Sequence, residues 1–105
     1  MAAAIILAGG RSTRLGRDKA SEVLLERTLL QRAIDAFAGL AEEYVVVRAA
    51  GQALPQVEAQ GTLRIVEDAY PQTGPLGGIY TGLDTMQTTH AVVVACDLPL
   101  LQPAL

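Results

Sequence analysis

Four cations, Arg11, Arg14, Arg17 and Lys19, follow a pair of adjacent glycines, Gly9-Gly10, in a chain whose formal net charge is -3. A local positive cluster in an acidic protein suits a small anionic ligand. Adjacent glycines let the backbone turn sharply and approach a bound group closely. Successive N–H groups in such turns form concave anion sites. Phosphates carry more charge than backbone donors neutralise, and Arg14 and Lys19 are residues able to supply the rest. The plainer alternative is a surface loop with solvated arginines. Two commoner glycine loops are excluded. The stretch has no Gly-Lys-Ser or Gly-Lys-Thr of a P-loop, and its spacing is not the Gly-x-Gly-x-x-Gly of a dinucleotide fingerprint.

Two carboxylates and a second glycine-rich stretch could complete such a site. Asp97 follows the apolar run of residues 91–95, and a carboxylate at a strand's carboxyl end is well placed for magnesium, a hard cation that combines one or two carboxylates with phosphates and water. Its competing role is a helix N-cap before the segment after Pro99. Asp68 precedes Gly74-Pro75-Leu76-Gly77-Gly78 and is either a ligand contact or a turn-forming residue. Gly77, Gly78 and Gly82 fall inside a helical pattern, where each costs about 1 kcal/mol against Ala. Either a ligand or neighbouring backbone comes close there, or the helix packs tightly on a sheet. Cys96 reads as a small buried hydrophobe, His90 as an inert turn residue and Asp84 as solvated.

The elements that must hold these residues alternate between two periods. Residues 3–7 form a short apolar run ended by Gly9-Gly10, which predicts a strand buried on both faces. A loop follows to Ala20. Thr28 opens a helix on which Leu29, Leu30, Ala33, Ile34, Phe37 and Leu40 recur at helical spacing, and Thr28 with Gln31 is a capping-box pair. Residues 44–47 predict a second buried strand and residues 63–66 a third. Between them, residues 49–61 allow at most a poor helical turn or two around Pro55. Residues 76–86 predict a second helix with Leu76, Ile79, Leu83 and Met86 on one face, and residues 91–95 a fourth strand. This is the pattern of an α/β fold: a Rossmann-like, three-layer, open and mainly parallel sheet, here in truncated form as one domain over residues 1–105. In such sheets the carboxyl ends of all strands share one rim, and ligands bind where strand order reverses. Gly9, Asp68 and Asp97 are therefore expected on a single crevice.

Composition narrows the class. Half of the 105 residues are hydrophobic and 18% are charged, which excludes a disordered tail. With no basic face and few aromatic residues, the chain is not expected to bind nucleic acid. The N-terminal apolar run is too short for a membrane span and lacks the basic start of a signal peptide. One cysteine allows no internal disulfide, which fits a reducing compartment, and the cytoplasm is the expected location.

The stretch Leu7-Ala8-Gly9-Gly10, Arg14-Leu15-Gly16 and Lys19, with Gly74-Pro75-Leu76 and Cys96-Asp97 further on, resembles the family of molybdenum cofactor guanylyltransferases and related nucleotidyltransferases. Gly9-Gly10 leans toward the guanylyl branch. The resemblance covers nearly the whole chain, yet the family is longer, so the chain reads as an N-terminal, nucleotide-binding portion; catalysis is expected of a full-length relative rather than of this portion alone. It implies GTP and a molybdopterin-type cofactor as substrates and Mg2+ on Asp97. It implies Arg14, Lys19 and Asp97 as the catalytic set. Leu7, Ala8, Gly9, Gly10, Lys19, Asp68 and Asp97 would hold the nucleotide, the backbone N–H groups of 8–10 seating it and Asp68 accepting from the guanine edge. Transient contact with molybdoenzyme maturation proteins is also implied. Rival readings are cytidylyl transfer to molybdopterin, guanylyl transfer to another phosphorylated acceptor, or a non-catalytic nucleotide-binding module. Two positions depart from the family pattern. Glu26 and Arg27 replace a glycine context, which puts a hairpin before Thr28 in doubt. Arg48 stands where Asn is common and is either a ribose or phosphate contact or solvated.

Overall fold

Small and β-branched residues run without interruption from Ala3 to Ile6, and all four are fully buried. They form the centre of strand β1 (Ala2–Leu7), around which the rest is assembled. The computed structural model describes residues 2–9, 11–12, 17–18, 23–24, 27–70 and 75–95. In chain order β1 is followed by two short antiparallel ribbons, β2 (Arg11–Ser12) with β3 (Arg17–Asp18) and β4 (Val23–Leu24) with β5 (Arg27–Thr28). Then come α1 (Leu29–Ala36), β6 (Glu43–Arg48), β7 (Thr62–Glu67), α2 (Pro75–Thr85) and β8 (His90–Ala95). The β4–β5 pairing forms despite the absent glycine, so the doubt over that hairpin is removed. Among the described residues no helix is long and apolar enough to cross a membrane.

The four long strands make one parallel sheet in the order β7-β6-β1-β8. From β1 the chain steps outward to β6 and β7, then returns to the other side of β1 as β8. The reversal of strand order thus lies between β1 and β8, where such sheets open a crevice. Alternation of side chains divides the core into two layers. Ala4, Ile6, Tyr44 and Val46 face α1, packing with Leu30, Ala33 and Ile34. Ile5, Val45 and Val47 face the other way, with Leu7, Val66 and Met86 around them, and α2 lies on that side. The expected three-layer α/β architecture is present. Each fully buried Ile, Leu or Val contributes roughly 1.5–3 kcal/mol relative to an exposed one, so these two layers dominate the stability.

Several local expectations are corrected. Helix α1 stops at Ala36; Phe37 caps it, the chain turns through Gly39 at φ 82°, and Leu40 is 72% exposed. Thr28 does cap α1, its Oγ1 accepting the Gln31 N–H at 3.1 Å. Gln31 does not reciprocate. Its side chain instead clasps Glu58, donating to the carbonyl at 2.9 Å and accepting the N–H at 2.8 Å. That clasp holds residues 49–61 against α1 as an irregular segment rather than helix, with Leu54, Val57 and Ala59 packed on the core. The Leu76–Leu83 face of α2 is not the packed one: Leu76 and Leu83 are exposed, while Gly78, Thr81 and Gly82 are buried against the sheet. Strand β8 lies at the sheet edge with Val92 and Val93 exposed, and His90 is its first residue rather than a turn.

At the amino edge of the sheet Glu43 is buried. Its carboxylate pairs with Arg64 and accepts the N–H groups of Gln87 and Thr88 and the Thr88 hydroxyl. Burial is the largest single influence and pushes its pKa up, but these hydrogen bonds and the Arg64 charge together outweigh it and hold the carboxyl below its ordinary value. The cluster ties the turn before β8 to β6 on the side away from the candidate site.

Candidate functional site

The carboxyl rim is where the parallel ladders run out, and three ladders end there in step. The Ala8 N–H donates to the Val47 carbonyl at 2.8 Å and the Asp68 N–H to the Arg48 carbonyl at 2.8 Å, extending β1 and β7 by one residue beyond their ends. Ala95, the last residue of β8, is the register partner of Leu7. The sequence-predicted residues Leu7, Ala8, Gly9 and Asp68 therefore lie on one edge of one sheet. Gly10, Arg14, Lys19, Cys96 and Asp97 lie outside the described residues. Asp18, the residue before Lys19, pairs with Arg11, the residue after Gly10, and Asp97 follows Ala95 by two positions.

Helix α2 closes over this edge by its glycines. A β-carbon on Gly78 would meet Leu7 Cδ2 at 3.0 Å, Val47 Cγ1 at 3.7 Å and Asp68 Oδ2 at 4.0 Å. Gly78 thus sits where the ends of β1 and β6 and the residue after β7 come together, with little room for a side chain. A β-carbon on Gly82 would lie 2.5 Å from Ile5 Cγ2. The open choice at Gly78 and Gly82 resolves toward tight helix-to-sheet packing, with Gly78 doing so directly beside the Asp68 carboxylate.

Asp68 itself is a turn-former and more. Its Oδ1 accepts the Tyr70 N–H at 2.8 Å, the Asx pattern. Thr81 braces the same turn from α2: its Oγ1 accepts the Ala69 N–H at 2.9 Å and donates to the Gly77 carbonyl at 2.9 Å. A hydroxyl has one proton, so the 3.5 Å approach of Thr81 Oγ1 to Asp68 Oδ1 is secondary. Asp68 Oδ2 is left without a hydrogen-bond partner among the described residues. A carboxylate oxygen that the turn leaves unengaged can accept N–H donors from a ligand.

On the β1 side, one expectation changes. The Ala8 N–H is spent on Val47, its methyl is in the core, and its carbonyl accepts Gln52 Nε2 at 2.9 Å. Ala8 therefore has no spare backbone donor, and the role expected of it begins at Gly9. A β-carbon on Gly9 would come within 3.4 Å of the Ala49 nitrogen, so this backbone runs close against the segment after β6. Arg48 is partly solvated but not a free cation at the rim: it donates to the Gln52 carbonyl at 2.9 Å and pairs with Glu67 at 3.1 Å. Thr81 and Gln52 were missed by sequence reasoning. Thr81 sits among glycines that drew attention to themselves, and nothing in the local pattern marks Gln52 except the glycine turn it closes.

Whether a hard cation suits this rim can be judged from its donors. Among the described residues there is no group of three or more His, Cys, Asp or Glu, so these residues by themselves build no all-protein cage. Magnesium seldom uses one; it keeps waters and shares one or two carboxylates with substrate phosphates. A rim offering a sparse carboxylate set fits that mode.

Against known proteins, residues 4–105 match the MobA-like NTP transferase domain. Over its whole length the chain is 42% identical to a probable molybdenum cofactor guanylyltransferase of Chloroflexus aggregans, covering 50% of that protein. It is 38% identical to a probable molybdenum cofactor guanylyltransferase of Mycobacterium avium, with 98% of this chain and 53% of that protein covered. It is 34% identical to a molybdenum cofactor guanylyltransferase of Syntrophotalea carbinolica, with 91% and 44% covered. The chain spans about half the length of the curated relatives it matches.

Proposed function

The chain belongs to the MobA-like NTP transferase family, and from that premise we propose that the whole protein is a nucleotidyltransferase moving GMP from GTP to a molybdopterin-type molybdenum cofactor. The observation that carries the reading is that Leu7 and Asp68 Oδ2 both lie within 4.0 Å of where a β-carbon on Gly78 would stand, on one rim, with Ala95 beside Leu7. The names of the relatives supply the guanylyl group and the acceptor.

In this reading the Gly9 N–H donates to a phosphate oxygen, and Arg14 and Lys19 neutralise charge on the α-phosphate and the departing pyrophosphate. Asp68 accepts the paired N–H donors of the guanine edge. Asp97 holds magnesium, which when bound neutralises charge on the phosphate oxygens. A phosphate oxygen of the acceptor forms the new bond to the α-phosphorus while the bond to the bridging oxygen breaks. The acceptor is already ionised, so no side-chain nucleophile is required. Transfers of this kind rest on positioning and electrostatic stabilisation. Action in the cytoplasm and transient contact with molybdoenzyme maturation proteins belong to the same reading.

The test is pyrophosphate release by the whole protein from GTP, CTP, UTP and ATP with magnesium and a molybdopterin acceptor. Release with GTP alone, lost in Lys19→Ala and Asp97→Ala, is expected. Equal release from all four nucleotides would overturn the guanylyl assignment, and unchanged rates in both variants would overturn the residue roles.

A further inference from the structure

Among the described residues, Gln52 makes four hydrogen bonds. Its N–H donates to the Ala49 carbonyl at 3.1 Å, closing a turn in which Gly51 takes φ 75°, as the third residue of a type II turn must. Its side-chain oxygen accepts the Ala49 N–H at 2.8 Å. Its carbonyl accepts Arg48, which is itself paired to Glu67 at the end of β7. So placed, its amide nitrogen reaches across to β1 and donates to the Ala8 carbonyl at 2.9 Å. A chain of hydrogen bonds thus runs Glu67, Arg48, Gln52, Ala8 along the rim, tying the ends of β7, β6 and β1.

The last link has a geometric consequence. The Ala8 carbonyl and the Gly9 N–H belong to one planar trans peptide and point in opposite directions. Gln52 lies on the β6 side of β1, so holding the carbonyl there turns the Gly9 N–H toward β8, the strand whose end precedes Asp97. The Ala8 N–H and methyl are already committed, so the Gln52 bond fixes the remaining freedom of that peptide. We propose that Gln52 is a positioning residue: it sets the Gly9 N–H, which has no hydrogen-bond partner among the described residues, to face an incoming phosphate. This rests on the nucleotidyltransferase reading. A donor fixed before binding spares the ligand the cost of ordering it.

The test is Gln52→Met, a neutral change of similar length that leaves the charge at the rim as it was. Two measurements on the whole protein separate the questions: the Gly9 amide resonance and its hydrogen exchange without ligand, and affinity for GTP with magnesium by calorimetry. Gln52→Met should shift the Gly9 resonance, speed its exchange and weaken GTP binding roughly three- to tenfold, as for loss of one hydrogen bond. A lowered melting temperature alone would not produce the local change at Gly9. If the wild type binds GTP and the variant binds it equally, or the Gly9 signal is unmoved, the positioning role is overturned while the functional reading stands. If the Gly9 signal moves but the wild type binds none of GTP, CTP, UTP or ATP, the functional reading fails and the positioning role falls with it.

Discussion

A β-carbon on Gly82 would lie 2.5 Å from Cγ2 of Ile5 and 3.1 Å from its Cδ1, so α2 approaches β1 more closely than any side chain permits. Ile5 is fully buried and its branch carbon cannot swing away without displacing the core. Gly82→Ala gains up to about 1 kcal/mol of helix propensity but forces an overpacked contact costing about 1–3 kcal/mol. The variant is expected to be less stable on balance, by about 1 kcal/mol. Urea denaturation checks this, and a midpoint equal to or above that of the wild type would show that α2 can lift from the sheet freely.

Glu43 gives the fold a pH dependence with a definite sign. Its folded pKa is held below the ordinary 4.5. A carboxylate depressed in the folded state contributes stability that is present in full above its unfolded value and is lost as pH falls through the folded one. Glu43→Gln removes the ion pair with Arg64 and leaves one acceptor oxygen for Gln87 and Thr88. The expected cost at neutral pH is about 2 kcal/mol, and the gap between wild type and variant should close as pH drops below 4.5. Urea midpoints measured across that range decide it; a constant gap would mean that the charge of Glu43 is not what holds the turn.

The sheet was legible because β1, β6 and β8 are written around continuous apolar runs and the site lies at their ends. Residues 3–7 and 44–47 predict β1 and β6 to within a residue at either end, and the rim placement of Gly9 and Asp68 follows from parallel pairing alone. What escaped depends on partners distant in sequence. Leu40 continues a helical period that the Gly39 turn cuts short. The apolar stripe of α2 suggested the wrong packed face, because glycines carry no hydrophobic signal and still give the closest approach. Gln52 lies 44 residues from the carbonyl it binds, a separation at which local pattern is silent.

Tyr44 provides the alkaline counterpart to Glu43. Its hydroxyl donates to the Phe37 carbonyl at 3.0 Å, and burial first, then the Asp35 charge, raise its pKa above 10.0. A group with a raised folded value contributes stability present below its unfolded value and lost as pH rises through the folded one. The Phe37 carbonyl also accepts Leu40 and Ala41 N–H groups, so Tyr44→Phe does not orphan it and should cost only about 0.5 kcal/mol at neutral pH. Above pH 10.0 the wild type should lose stability faster than the variant. Thermal melts at rising pH check this, and parallel curves for the two proteins would remove the assignment.

Asp68 offers the sharpest separation of fold from recognition. In Asp68→Asn the side-chain carbonyl can still accept the Tyr70 N–H, so the Asx turn and its brace from Thr81 are retained and stability should change by less than about 0.5 kcal/mol. The outer atom, however, turns from an acceptor into a donor. Under the proposed function it then faces the N–H donors of guanine with a donor of its own. Hydrogen bonds to a charged group are worth about 1.5–3 kcal/mol, which corresponds to roughly ten- to a hundredfold in affinity. GTP binding should weaken by that factor, while the weaker binding of ATP, which lacks those paired donors, should barely move. Calorimetry with both nucleotides measures the difference. Equal losses for GTP and ATP would place Asp68 at the phosphates or the metal instead of the base, and an unchanged GTP affinity would leave it as a turn residue only.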